Sequence, residues 1–127
     1  MKRVLVVEDD PDVKDLICRY LELRDFQCQG ASSAAQCMAH LDAPEYPDLI
    51  LVDLELPDLD GAELTARIRQ RPRFGQIPVL MISGVKLASQ IDRAHQAGVD
   101  ACLFKPFSPK ELLAKVREMT EARPQAM

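Results

Sequence analysis

Four short apolar runs punctuate the chain: Val4 to Val7, Leu49 to Val52, Val79 to Ile82, and a weaker one over Val99 to Phe104. Runs this short, with no polar residue at alternate positions, suit strands covered on both faces, as in a parallel sheet. A fifth segment, Phe26 to Gly30, alternates apolar and polar residues, the pattern of an exposed edge strand. Helical period fills the gaps between them. Val13, Leu16, Ile17, Tyr20 and Leu21 mark one face of a helix starting at Asp10-Pro11, and Ala34, Cys37, Met38 and Leu41 mark a second. Leu64 and Ile68 mark a third, capped by Asp60; Leu87, Ile91 and Ala94 mark the core face of a fourth, terminated by Gly98. The fifth opens on a capping box, with Ser108 as N-cap, Pro109 in the first turn and Glu111 reaching back, and its core face is Leu112, Leu113 and Val116. Strands and helices in strict alternation with short connections build right-handed βαβ units. The expected fold is therefore α/β, an open, doubly wound sheet of five strands and five helices.

Length and charge bound what such a sheet can do. At 127 residues and 47% hydrophobic, the chain has material for one core and one domain. Its net charge of -4 argues against bulk electrostatic binding to nucleic acid or to anionic membranes. The apolar run after Lys2 and Arg3 stops at Glu8, too short for a signal peptide or a membrane span. Cys18, Cys28, Cys37 and Cys102 form no C-x-x-C pattern, and His40 and His95 share no metal-binding spacing, so the cysteines read as reduced thiols of a cytoplasmic protein and the histidines as helix-surface residues.

In an open α/β sheet the ligand crevice lies beyond the carboxyl ends of the strands. The residues there are Glu8 and Asp9, then Asp53, then Ser83, then Lys105. Two carboxylates facing each other about 5 Å apart at an effective dielectric near 20 repel by roughly 3 kcal/mol. Such a pair, Asp9 with Asp53, calls for a counter-charge, and a small hard dication such as Mg²⁺ supplies it through oxygen ligands. Lys105 adds a fixed positive charge and Ser83 a hydroxyl. A cation, an ammonium, a hydroxyl and a carboxylate nucleophile are together what phosphoryl transfer to an aspartate requires. By contrast, Asp10 reads as a helix N-cap, and Asp58 and Asp60 as turn and cap residues.

Four motifs, VVEDDP, LILVDLELPDLDG, MISG and FKPF, occur in this order, and the chain from Lys2 to about Glu121 resembles the receiver domains of bacterial two-component response regulators. The resemblance implies a flavodoxin-like (βα)5 sheet of strand order 2-1-3-4-5, with residues 1–121 as one receiver domain and 122–127 as a flexible tail. It implies Asp53 as phosphoacceptor, charged by a sensor histidine kinase or a histidine phosphotransfer protein. It implies Mg²⁺ held by Asp9, Asp53 and the backbone carbonyl of Glu55, with Glu8 acting through water. Ser83 matches the switch hydroxyl and Lys105 the lysine of the site, followed by a cis bond to Pro106. The output implied is a protein target bound through the face of helix four, strand five and helix five, with no direct nucleic-acid or membrane contact. The expected activity is self-catalysed phosphotransfer and autodephosphorylation rather than turnover of a separate substrate.

One position departs from the pattern. Three residues before Lys105, where the family usually carries Tyr or Phe, stands Cys102. Three other readings compete. A flavin-binding electron carrier of the same topology would need a phosphate-cradling loop after the first strand, where EDDPD would repel a phosphate. A metabolite phosphatase working through an aspartyl phosphate would place a second aspartate two residues after the nucleophile, where Glu55 stands. The last is a receiver-like interaction module that is never phosphorylated, and the complete set of site residues argues against it.

Overall fold

The computed structural model describes residues 1–84 and 86–121; the tail expected over 122–127 lies outside the described residues. Within them, β1 (Lys2–Val7), β2 (Phe26–Ala31), β3 (Leu49–Asp53), β4 (Val79–Ser83) and β5 (Ala101–Phe104) form one sheet. Its order is β2-β1-β3-β4-β5 and every pairing is parallel, as the sequence reading expected. Five helices connect and follow the strands: α1 (Pro11–Glu22), α2 (Ala34–Leu41), α3 (Gly61–Arg69), α4 (Ala88–Ala97) and α5 (Pro109–Glu121). A 3-10 turn at Pro72–Phe74 precedes β4.

Strand alternation divides the core in two. Leu5, Val7, Ile50, Val52, Val79 and Met81 face one layer with α2, α3 and α4 residues such as Cys37, Leu41, Leu64, Ile68 and Ala94. Val4, Val6, Leu49, Leu51, Leu80 and Ile82 face the other, against Ile17 and Leu21 of α1 and Leu112, Leu113 and Val116 of α5. Because β3 and β4 are buried along their whole length, each of their aliphatic side chains stabilises the fold by roughly 1.5–3 kcal/mol. That burial on both faces is why their sequences do not alternate. The edge strand β2 is wetter: Phe26 and Ala31 are buried, in opposite layers, while Gln27, Gln29 and Gly30 between them are exposed.

Helix ends follow local chemistry. Asp10 accepts from the Asp12 and Val13 N–H groups, Asp60 from Glu63 N–H at 2.8 Å, and Ser108 and Glu111 exchange the two bonds of a capping box at 3.1 and 2.9 Å. Gly98 ends α4 at φ 108°, a left-handed conformation that a side chain would strain.

The apolar pattern overreached at two leucines. Leu16, expected on the inner face of α1, is 70% exposed, because the sheet takes up Ile17 and Leu21 and leaves Leu16 beside Tyr20 and Phe107 on an open groove. Leu87, expected in the core face of α4, is 61% exposed. The helix begins only at Ala88, so Leu87 is its N-cap residue and never reaches the sheet.

At the end of the sheet away from the carboxylates, Arg69 ties three segments together. Its guanidinium, 18% exposed, donates to the carbonyls of Phe74, Ile77 and Gly98 at 2.6 to 3.2 Å and to Asp100 at 2.9 Å. Asp100 in turn accepts from Val79 N–H at 2.8 Å and so anchors the start of β4. Sequence periodicity gave no hint of this, since Arg69 sits in a last turn where a basic residue is ordinary. Replacing Arg69 with Ala leaves half-buried carbonyls without donors, and urea denaturation is expected to show a loss of roughly 2–4 kcal/mol. A change under 0.5 kcal/mol, the scale of an ordinary surface substitution, would show that the network is decorative.

Candidate functional site

Strand register assembles the site. In the β1–β3 ladder Val6 pairs with Leu51 and Val7 with Val52. One step further, Glu8 stands level with Asp53 and on the same face of the sheet. Glu8 N–H donates to Ala31 O at 2.9 Å, which extends the β1–β2 ladder by that same step. Glu8 and Asp53 are 3% and 4% exposed, whereas Asp9 is exposed. Carboxylate oxygens of Glu8, Asp9 and Asp53 lie within 4.8 Å of one another.

The charge in this cluster is only partly answered. Asp53 Oδ2 accepts from Lys105 Nζ at 2.9 Å and Oδ1 from Glu55 N–H at 3.0 Å. Glu8 Oε2 accepts from Asp10 N–H at 3.2 Å, while Glu8 Oε1 is buried with no donor. Burial, followed by the adjoining Asp53 carboxylate, pushes Glu8 up from 4.5 to about 8. Its remaining oxygen can therefore pair with Asp53 only by keeping a proton. Partial burial disfavours the Lys105 ammonium, but the hydrogen bond and charge of Asp53, with Glu8 and Glu55 behind them, outweigh this and raise its pKa. An orphaned buried oxygen beside two further carboxylates is the donor set that a hard, oxygen-seeking dication completes.

The loops around the cluster are fixed from below. Gly61 N–H donates to Leu54 O at 2.7 Å, and a Cβ on Gly61 would sit 2.5 Å from the Asp53 carbonyl oxygen. The glycine of LPDLDG is thus required by this close approach of α3 to the end of β3. Asp58 accepts from the N–H groups of Ala34 and Ala35 at 2.9 and 3.0 Å, and these donors hold its carboxyl below the usual range. It ties the start of α2 across the fold as well as bonding to the Asp58 and Leu59 N–H groups of its own turn. Asp60 caps α3 and also pairs with Arg93 of α4.

The predicted residues converge in large part. Glu8, Asp9, Asp53 and Lys105 are brought together, with Glu8 and Asp53 buried and Asp9 exposed. Ser83 closes β4, 1% exposed, and its carbonyl accepts the Lys105 N–H at 2.8 Å. Glu55 contributes its backbone N–H to Asp53, and its side chain is exposed. The Lys105-Pro106 bond is cis. Cys102 is half-buried against the layer that α2, α3 and α4 cover. What the sequence reading missed, the Asp58 cap and the Asp60–Arg93 pair, joins residues 24 and 33 positions apart, beyond the reach of any local pattern.

The family model of the response regulator receiver domain matches residues 4–117. The DNA-binding dual master transcriptional regulator RpaA of Synechocystis sp. is 36% identical over 129 residues, covering 99% of this chain and 53% of that protein. The phosphate regulon transcriptional regulatory protein PhoB of Escherichia coli is 34% identical over 116 residues, covering 91% and 50%. This chain thus spans about half the length of the curated relatives it matches. Among solved structures, the CheY-like response regulator receiver domain protein of Methanospirillum hungatei superimposes with a TM-score of 0.87 at 30% identity, covering 96% of this chain and 95% of that one. No helix among the described residues is long and apolar enough to cross a membrane.

The unfolded chain ionises Glu8 near 4.5, whereas the folded chain keeps the proton until about 8. Between those values the folded state binds more protons than the unfolded one, so metal-free stability falls as pH rises through the window. Denaturation of the chelator-treated protein across that range is expected to show this decline, and Glu8→Gln to flatten it. A wild-type profile with no slope attributable to Glu8 would contradict the assignment.

Proposed function

The chain belongs to the response regulator receiver domain family, and we propose that it accepts a phosphoryl group on Asp53 and passes the signal on by switching protein contacts. The observation that carries this reading is the buried Asp53 carboxylate, held by Lys105 Nζ at 2.9 Å and by Glu55 N–H, with Glu8 and Asp9 beside it. Mg²⁺ would be held by Asp9, Asp53 and the Glu55 carbonyl, with Glu8 nearby to accept a water ligand or to surrender its proton. When bound, the ion offsets charge on the phosphoryl oxygens.

The protein's own groups perform the remaining work. The hydrogen bond from Glu55 N–H holds the Asp53 carboxylate in a fixed orientation, which lowers the entropic cost of attack. Lys105 is placed to follow a phosphoryl oxygen as negative charge builds on it, and the Ser83 hydroxyl, at the end of β4, would take another. The donor is a phosphohistidine on a sensor kinase or phosphotransfer protein, met in the cytoplasm. Transfer is self-catalysed, followed by slow autodephosphorylation, and the output runs through the face formed by α4, β5 and α5. On that face Cys102 stands where related domains carry an aromatic ring, so a ring swinging inward is not how this domain reports its state.

A small phosphodonor with Mg²⁺ is expected to add one phosphate to the wild type, detected by intact mass, and none to Asp53→Ala or to the wild type in chelator. Lys105→Ala should label more slowly by roughly 10²-fold, the scale of removing one preorganised charge donor from a transition state. Equal labelling of wild type and Asp53→Ala would sink the proposal.

A further inference from the structure

Outside the carboxylate site, α1 and β2 bring two thiols together. As the crossover between the parallel strands β1 and β2, α1 runs back along the sheet, antiparallel to both. Lys14 crosses Gly30, whose missing Cβ would lie 2.9 Å from Lys14 Cδ, and the ammonium donates to Ser32 Oγ at 2.6 Å. Four residues along the helix from Lys14 is Cys18, a travel of about 6 Å. Two residues back along the strand from Gly30 is Cys28, a travel of about 6.6 Å on the same face. Equal strides in the same direction set Cys18 over Cys28. Both are half-buried and pack on the core layer of α1 and α5.

The pair is also insulated from the other cysteines. Cys37 is fully buried on the opposite side of the sheet, and Cys102 packs against that same opposite layer. Two thiols, and only two among the described residues, therefore share one side of the sheet. Contact with Cys28 lowers the pKa of Cys18, while contact with Cys18 and burial raise that of Cys28.

We propose that Cys18 and Cys28 form a two-thiol redox site that a hydroperoxide converts into an intramolecular disulfide tying α1 to the edge strand. In the first step the Cys18 thiolate attacks the terminal peroxide oxygen. The O–O bond breaks, the leaving alkoxide takes a proton to become an alcohol (water, when the oxidant is hydrogen peroxide), and Cys18 becomes a sulfenic acid. In the second step the Cys28 sulfur attacks the Cys18 sulfur, its proton leaves with the hydroxyl as water, and the S–S bond forms. Two thiols supply the two electrons that the peroxide takes up. The site is independent of phosphorylation at Asp53 and stands or falls without it.

The test uses the whole chain. Wild-type protein treated with hydrogen peroxide should lose two of its four thiols when counted after denaturation, and should regain them with dithiothreitol. Peptide mapping should recover Cys18 linked to Cys28 with two hydrogens lost. Because Cys28 and Cys37 fall in one tryptic peptide, fragmentation within that peptide assigns the linkage. The linkage should be absent from Cys18→Ser and Cys28→Ser and unchanged in Cys102→Ser, with circular dichroism confirming that each variant is folded. Retention of all four thiols, linkage through Cys37 or Cys102, or a disulfide between two chains would each overturn the proposal. The wild-type map decides even if a variant fails to fold.

Discussion

Three carboxylates within 4.8 Å of one another face one ammonium at the carboxyl ends of β1 and β3. That imbalance governs the rest of the site. Asp53 uses the available donors, Lys105 Nζ and Glu55 N–H, and Glu8, buried with one oxygen unmatched, retains a proton instead. A folded domain has only about 5 to 15 kcal/mol in hand, so it tolerates such a cluster only at the rim of an otherwise apolar sheet. The cluster thereby stays responsive: a dication or a phosphoryl group changes its balance of charge at once. The features that make the site costly in isolation are those that prepare it to bind and react.

The opposite end of the sheet is built to a different rule. There the charged groups are tied to backbone and to opposite charge. Arg69 spans Phe74, Ile77, Gly98 and Asp100; Asp48 accepts from Arg3 N–H while Arg3 O accepts from Asp48 N–H; and Tyr46 stacks on Phe74 with ring centroids 5.2 Å apart. These contacts bind the loops before β3 and β4 and keep the strands in register. Register is what sets Glu8 level with Asp53, since a slip of one residue would turn every side chain of a strand to the other face. The networks at the far end thus act on the chemistry only through strand alignment.

Between these two ends the alternation of apolar runs and helical segments was legible in the sequence, because burial on both faces leaves an unmistakable run of aliphatics in β3 and β4 and helix caps are local chemistry. The same locality explains the misreadings. Leu16 and Leu87 have the right period for a core face, yet a helix can turn only part of its circumference to the sheet, and α4 begins one residue too late to use Leu87. Cysteine spacing was silent on the Cys18–Cys28 pairing for a related reason: the two share no motif, and their meeting depends on the travel per residue in a helix and a strand laid side by side.

The sequence by itself determined the fold class, the strand order through its resemblance to a family, the capping residues, and the identities of Glu8, Asp9, Asp53, Ser83 and Lys105 as strand-end groups. Each of these depends on residues near one another in the chain or on a motif carried within one segment. Tertiary structure alone decided that Glu8 is buried against Asp53 and that Asp58 caps a distant helix. It also decided that Arg69 ties the end of α3 to two loops and that two thiols share one side of the sheet. The physical reason is that hydrogen bonds and desolvation depend on which groups meet in space, and that is settled only when five strands align.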